Sequence, residues 1–191
     1  MFVLISIISD THLPSIHKTP DGLGPELANF LVSTDLIIHA GDVVRPSILD
    51  WCEQFAPVIC AKGNNDDFED KRATNKIRIE LEGWRFGVVH ELRPEDRPMD
   101  VLIDQAFPGE SIDMIDVLIA GDTHVARLEY RDDVLLINSG SPTLPHHLEW
   151  RLGSAVLLDV SESQIKAEIV SLGETRGKKN PTSVSSLVVK R

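Results

Sequence analysis

The most informative segment of the 191-residue chain is Val117-Leu118-Ile119-Ala120-Gly121-Asp122-Thr123-His124. Its first four residues are apolar, which predicts a buried strand of an α/β sheet. The run ends at a glycine, and a carboxylate and an imidazole follow it. In an extended chain, residues two apart lie on the same side, so we expect Asp122 and His124 to reach one ligand together. For this segment alone, a polar turn that caps a buried strand is an equal alternative.

The same arrangement, an apolar run followed by polar residues, recurs at four other places. The polar groups are Asp10-Thr11-His12, Gly41-Asp42, Gly63-Asn64-Asn65-Asp66 and His90-Glu91. Because ligand sites of α/β sheets form beyond the carboxyl ends of the strands, we expect all five groups to share one rim. Carboxylate, imidazole and amide ligands without thiolate favour divalent ions such as Mn, Fe, Zn or Mg. A cluster this acidic would repel itself unless it bound cations.

The order of strands and helices predicts an α/β fold. Strands are expected at 2–8, 36–39, 58–61, 76–81, 85–89, 117–120, 127–130, 134–138, 154–160 and 164–170, and helices at 25–32, 46–55 and 99–107. The two strands that flank Glu82-Gly83-Trp84 are expected to form a hairpin. An alternating first half followed by hairpins indicates two packed sheets with helices outside.

Two segments of the chain are near copies of each other, 35–42 and 116–122, and each ends in Gly-Asp. One interpretation is that two buried strands use the same turn chemistry. The other is that two halves of a sandwich supply one shared site from equivalent strand ends. One pair of segments does not distinguish the two interpretations.

Composition restricts the possible partners and the compartment. The net charge of −11 argues against binding a nucleic-acid polymer, but it does not exclude a small phosphate ester held by metal ions. Cys52 and Cys60 lie at no metal-ligand spacing and favour a reducing compartment. No apolar run approaches the length of a membrane span, so a cytoplasmic protein without membrane contacts is expected. Residues 173–191 contain five basic residues against one acid, which predicts a loosely ordered C-terminal tail after a domain at 1–172, although 185–189 is a possible edge strand.

The series Asp-x-His, Gly-Asp, Gly-Asn-x-Asp, His and Gly-x-x-His resembles the calcineurin-like metallophosphoesterases over residues 2 to about 172. The small single-domain phosphodiesterase branch is the most similar, because Asn138-Ser139-Gly140-Ser141 is similar to its Asn-Pro-Gly-Ser loop. The resemblance implies a four-layer αββα sandwich of two mixed sheets flanked by helices. It also implies two divalent metal ions, with Mn expected and Fe, Zn, Mg or Ni as alternatives.

By the same resemblance, each ion has four ligands. Asp10, His12, Asp42 and His124 would hold the first ion, and Asp42, Asn64, His90 and Asp122 would hold the second. Two such ions can clamp a phosphoryl oxygen and acidify a bridging water. The expected activity is therefore hydrolysis of a small phosphodiester by a metal-bridging hydroxide, with Asn65, His90 and Asp42 as the catalytic residues.

The chain departs from the family pattern at three positions. Asp122 and Asn65 each stand where a histidine is common, and Glu91 stands where a small residue is usual. Asp122 adds a negative charge and an oxygen donor, so the second site should favour Mn or Mg. Asn65 cannot deliver a proton, which leaves activity on poor leaving groups open.

A different class of function stays open as well. The retromer scaffold subunit resembles the same branch, but it binds protein partners and has lost part of the metal constellation. This chain keeps a possible ligand at every position, which favours an enzyme with a small phosphate-ester substrate. The sequence does not determine the oligomeric state, and a homo-oligomer is one possibility.

Four further polar positions have expected roles. His39 should be a core or supporting histidine that is not a ligand. Asp66 should brace the loop that contains Asn64. The pair at 146–147 either contacts substrate or lies in a solvated loop, and His17 is expected at the surface.

Overall fold

Two mixed β-sheets contain the strands of the protein, in a computed structural model that describes residues 2–13 and 19–191. The strands are β1 (Phe2–Ile8), β2 (Leu36–His39), β3 (Val58–Ala61), β4 (Ala73–Thr74), β5 (Ile77–Leu81), β6 (Trp84–Val88), β7 (Val117–Ala120), β8 (Ala126–Arg131), β9 (Val134–Ser139), β10 (Ser154–Ser161), β11 (Gln164–Ser171) and β12 (Ser186–Lys190). The α-helices are α1 (Gly24–Leu31), α2 (Ser47–Cys52) and α3 (Met99–Ala106). No helix in the described ranges combines the length and the apolarity needed to cross a membrane.

The strand order brings the carboxyl ends of the site-bearing strands together. The seven-stranded sheet has the order β12-β11-β10-β1-β2-β3-β4, and the five-stranded sheet has the order β5-β6-β7-β9-β8. β1, β2, β3 and β4 are parallel, and so are β6, β7 and β9. Parallel strands end at the same edge of their sheet, so each sheet presents one row of loops where polar side chains can meet.

Three apolar layers hold the sheets and helices together. The cluster between the sheets includes Ile7, Ile38 and Ile119, which are fully buried. A second cluster joins α1 and α2 to the seven-stranded sheet, and a third joins α3 to the five-stranded sheet. The expected αββα sandwich of two mixed sheets is therefore confirmed.

The near-copied segments belong to different sheets. β2 lies in the seven-stranded sheet and β7 lies in the five-stranded sheet, and each ends before an aspartate. The structure therefore supports the interpretation in which two halves of the sandwich supply one site. The predicted hairpin of β5 and β6 is confirmed. The helix expected at 46–55 is shorter, because turns follow Cys52 and Pro57 disfavours helix at the residue before it.

The C-terminal segment is more ordered than the expected tail. β12 pairs antiparallel with β11, so the edge strand considered for this segment is present. Val189 is buried against the core between the sheets, and Arg191 lies 4.1 Å from the centroid of the Trp84 ring. Asn180 is buried and donates hydrogen bonds to Gly153 O at 2.8 Å and Ser171 Oγ at 2.9 Å. The segment expected as a loosely ordered tail therefore ends in a strand of the seven-stranded sheet.

Two adjacent valines test whether β12 belongs to the fold. Val189 is 5% exposed, whereas Val188 on the opposite face is 50% exposed. We expect Val189→Asp to lower the free energy of unfolding by about 2 kcal/mol or more, because it buries an unpaired carboxylate. Val188→Asp should change it by less than about 0.5 kcal/mol. Urea unfolding measures both values, and equal effects would contradict the assignment of β12.

Candidate metal centre

The side chains that follow β1, β6 and β7 converge on one carboxylate oxygen. Asp10 Oδ1 lies 3.4 Å from His124 Nε2, 3.8 Å from His12 Nε2 and 4.0 Å from His90 Nε2. The Nε2 atoms of His12 and His124 are 3.1 Å apart. The donor atoms of Asp10, His12 and His124 all lie within 4.8 Å of one another, as those of one metal site would.

Asp42 connects this group to a second one. Its Oδ2 lies 3.4 Å from His12 Nε2, and its Oδ1 lies 3.4 Å from His90 Nε2. Asp10, Asp42 and His90 form a second set of donors within 4.8 Å, and Asp122 Oδ1 lies 3.9 Å from His90 Nε2. The two oxygens of Asp42 therefore face different imidazoles, and the two sets of donors have Asp10 in common.

Three buried polar atoms of the centre lack hydrogen-bond partners in the described ranges: Asp10 Oδ1, His90 Nε2 and Asp122 Oδ2. Asp122 Oδ2 is paired with Arg93, whereas Asp10 Oδ1 and His90 Nε2 face other candidate ligands. Burial of an unpaired polar group is costly, and a cation would satisfy both atoms. His90 Nδ1 donates to Ala40 O and His124 Nδ1 donates to Leu144 O, both at 2.7 Å, so in each neutral ring the lone pair that can bind a metal is on Nε2. The residues present therefore fit divalent ions.

The backbone at the strand ends is left-handed. The φ angles are 55° at Asp10, 47° at His12, 57° at Asp42, 69° at Asp122 and 57° at His124. The expectation that Asp122 and His124 reach one ligand from an extended chain is therefore wrong in its geometry. His124 joins Asp10 and His12, whereas Asp122 lies on the side of His90. Such conformations cost free energy and persist where the surrounding structure enforces them.

Hydrogen bonds hold Asp42 from one side. Asn65 N donates to Asp42 Oδ1 at 3.0 Å, and Asn65 Nδ2 donates to Asp42 Oδ2 at 2.7 Å. Asp66 accepts hydrogen bonds from Val44 N at 2.6 Å and Gly63 N at 2.8 Å, which confirms its bracing role. A Cβ at Gly63 would lie 2.2 Å from Asp42 Oδ1, so only glycine permits this approach.

The loop at 138–141 holds the other side of the centre. Ser141 Oγ donates to Asp10 O at 2.7 Å, and Asn138 Nδ2 donates to Gly121 O at 2.7 Å. Asp122 N donates to Asp10 Oδ2 at 3.0 Å. These bonds fix the backbone on which the ligands are carried.

The remaining sequence-predicted positions have varied surroundings. His39 is fully buried, with Nε2 3.2 Å from Thr11 Oγ1, and it accepts a hydrogen bond from Gly41 N, as expected of a supporting histidine. His147 is exposed, and its ring centroid lies 3.9 Å from that of His124. Glu91 is exposed and lines a neighbouring cavity that Asn64 and His90 also line. The expectation for His17 lies outside the described residues.

The centre opens into a cavity of about 330 Å³. Its lining residues are His12, Asp42, Asn64, Asn65, Arg93, Asp122, His124, Leu144 and His147. Sequence reasoning missed Arg93, since a single arginine in a loop gives no periodic or motif signal. The volume is sufficient for a small ligand.

Burial and neighbouring charges shift the ionisation of the ligands. Burial raises the pKa of Asp10 to about 7 and lowers the pKa of His124 to about 4. Burial alone would raise the pKa of Asp42, but His90 and the bonds from Asn65 lower it below its usual range. Burial acts to lower the pKa of His90, but Asp42 and Asp10 outweigh it and raise the pKa to about 9. In the metal-free protein, a protonated His90 thus partly neutralises the carboxylates of Asp42 and Asp10, as a bound cation would.

Fold and site together define a metal-binding α/β sandwich. Residues 3–163 match the calcineurin-like phosphoesterase superfamily domain, so the chain belongs to that superfamily. A probable metallophosphoesterase of Methanothermobacter thermautotrophicus is 32% identical over 173 residues, which cover 90% of this chain and 94% of the relative. A phosphodiesterase of Methanocaldococcus jannaschii is 28% identical over 71% of this chain and 82% of its own length.

A solved structure shares the whole fold. Vacuolar protein sorting 29 from Cryptosporidium parvum superposes with a TM-score of 0.77 and 17% identity, covering 100% of this chain and 99% of that one. At this identity the likeness concerns the fold alone.

Metal binding should release a proton from His90. Its folded pKa of about 9 means that the imidazole is protonated at pH 7.5 in the metal-free protein, whereas a ligand must be neutral. The apparent affinity should therefore rise with pH by up to about tenfold per unit and level off above the pKa. Calorimetric titration with Mn²⁺ in two buffers of different ionisation enthalpy counts the protons. An affinity that is independent of pH between 7 and 9 would contradict the assignment, and His90→Asn is the control.

Proposed function

We propose that the protein is a metal-dependent phosphodiesterase that hydrolyses a small phosphodiester and uses two divalent ions, with Mn as the expected ion. The observation that carries the proposal is the pair of buried atoms Asp10 Oδ1 and His90 Nε2, which lack hydrogen-bond partners in the described part of the chain and lie 4.0 Å apart. Membership of the phosphoesterase superfamily and the phosphodiesterase relative support the same chemistry.

In the proposed assignment the ligands form two sets that share Asp42, although the donor atoms of Asp10 also lie close to both sets. The first ion would be held by Asp10, His12, Asp42 and His124, and the second by Asp42, Asn64, His90 and Asp122. Two divalent ions, when bound, polarise a phosphoryl oxygen and lower the pKa of a bound water. The carboxylate of Asp42 keeps its two oxygens toward His12 and His90, because Asn65 fixes its orientation.

The chemistry of Asp122 supports the choice of ion. A carboxylate at this position supplies a negatively charged oxygen donor, which suits Mn or Mg better than ions that prefer nitrogen. Asp122 Oδ1 lies on the side of His90, so this preference concerns the second ion.

A non-catalytic scaffold is the alternative function. The likeness to vacuolar protein sorting 29 makes a protein-binding role possible, but it concerns the fold alone. Each ligand position of this chain carries a donor, and the buried donors of Asp10 and His90 lack other partners among the described residues. Such atoms favour a bound cation, and the phosphodiesterase relative then favours the enzyme over the scaffold.

An activity assay separates the enzyme from the scaffold. With Mn²⁺, the wild type should hydrolyse bis-p-nitrophenyl phosphate, and EDTA should abolish the activity. Asp42→Asn should lower kcat by about 100-fold or more, because both ions lose a charged ligand. Loss of a residue that only hydrogen-bonds a metal ligand typically costs about 10–100-fold. Nitrophenolate release measures the rate, and mass spectrometry of the metal content measures occupancy.

Glu162→Gln is the matched control, because it removes one negative charge from an exposed residue in the turn between β10 and β11. It should keep wild-type activity and metal content. An inactive but fully loaded wild type would favour the scaffold. An Asp42→Asn variant with two ions and a near-normal rate would refute the shared-ligand role.

A further prediction concerns the leaving group. Asn65 Nδ2 donates a hydrogen bond to Asp42 Oδ2, and an amide cannot deliver a proton to a leaving group near neutral pH. Rates should therefore rise steeply with the acidity of the leaving group, and aryl diesters should react much faster than alkyl diesters. Kinetics across a series of aryl and alkyl methyl phosphodiesters measure the slope. A flat dependence would indicate another acid, with His147 the first candidate for substitution.

A further inference from the structure

We propose that Arg93 is a substrate-binding residue of this centre, and that its guanidinium, held by Asp122, binds a non-bridging oxygen of the phosphate ester. The proposal rests on the proposed function, because it concerns the same substrate in the same cavity. It adds a fixed positive charge to a site otherwise made of carboxylates, imidazoles and amides.

Asp122 orients the guanidinium. Arg93 Nε pairs with Asp122 Oδ2, and Arg93 Nη2 donates to Asp122 O at 3.1 Å. The third nitrogen, Nη1, makes no hydrogen bond with any residue in 2–13 or 19–191. The side chain of Arg93 is 51% exposed and that of Asp122 is 13% exposed. The guanidinium therefore has one edge on a nearly buried carboxylate and another available for a ligand.

Arg93 lines two cavities, and one of them is the cavity of the metal ligands. Arg93 lines the same cavity of about 330 Å³ as Asp42 and His124. Among the described lining residues, Arg93 is the one with a permanent positive charge. A guanidinium presents planar, paired donors that match phosphate oxygens, so it suits an anionic ester better than a neutral one.

The negative charge of the centre favours a cation that binds the ester. Three carboxylates approach His90 Nε2, at 3.4 Å from Asp42, 3.9 Å from Asp122 and 4.0 Å from Asp10. A phosphodiester is itself an anion, so it must approach a site whose bound cations are already partly neutralised by these carboxylates. A cation in the wall of the cavity would attract the ester and orient it before reaction.

The pairing also leaves Asp122 able to act as a ligand. Arg93 engages Oδ2, while Oδ1 faces His90. A purely structural role for Arg93, in which it only neutralises Asp122, is the competing explanation. The two roles differ in what happens to phosphate affinity when the metal sites are saturated.

The test compares Arg93→Gln and Arg93→Lys with wild type at saturating Mn²⁺. Arg93→Gln should raise KM for bis-p-nitrophenyl phosphate and weaken inhibition by inorganic phosphate by about tenfold each, with a smaller change in kcat. Arg93→Lys should recover part of the loss, because the ammonium keeps the charge but lacks the planar donors. Arg176→Gln, which removes an exposed charge from a separate depression, should match wild type.

Calorimetric binding of inorganic phosphate to the Mn-loaded protein gives a readout independent of turnover. About tenfold weaker binding by Arg93→Gln, with unchanged Mn stoichiometry, supports the proposal. Unchanged phosphate affinity with weakened Mn binding means that Arg93 only holds Asp122, and it overturns the proposal, as does a wild type that binds no phosphate. An inactive wild type that binds phosphate through Arg93 refutes the phosphodiesterase function but not this inference.

Discussion

The carboxyl group of Asp10 is completely buried, and its Oδ1 has no hydrogen-bond partner in the described part of the chain. Its other oxygen accepts from Asp122 N, and its backbone carbonyl accepts from Ser141 Oγ, so the group cannot turn toward solvent. A fold that holds a carboxylate in this way carries a free-energy cost that only a cation or a proton can offset. The surrounding imidazoles lie close enough to Asp10 to bind a shared cation with it or to carry a proton.

Both sheets supply ligands to the centre. Asp10 and Asp42 follow strands of the seven-stranded sheet, whereas His90, Asp122 and His124 follow strands of the five-stranded sheet. The core between the sheets fixes the strands, and the left-handed residues then turn the chain so that the ligands face inward. Because hydrogen bonds join the strand ends to one another, within and between the sheets, the packing of the sheets preorganises the centre.

Much of the fold could be predicted from the sequence, and so could most of the residues that converge on the candidate site. Leu118 and Ile119 lie on opposite faces of their sheet and both are buried. A strand that is buried on both faces appears in the sequence as a continuous apolar run. Local geometry could not be predicted, since a left-handed aspartate has the same sequence signature as an extended one. Composition predicted a loosely ordered tail at 173–191 with 185–189 as a possible edge strand, and the structure contains that strand as β12. Arg93 was missed because its role depends on a contact with Asp122, 29 residues away.

The distribution of the ligands along the chain links metal supply to folding. The candidate donors span positions 10 to 124 and follow five strands of two sheets, so they are brought together only when both sheets have formed. An ion bound by them would therefore act as a tether between the sheets, one that the unfolded chain cannot reproduce. At a free concentration 100 times its Kd, such an ion would add about 2.7 kcal/mol to the stability of the native state. The stability of the fold would then increase with the concentration of free metal ion around it.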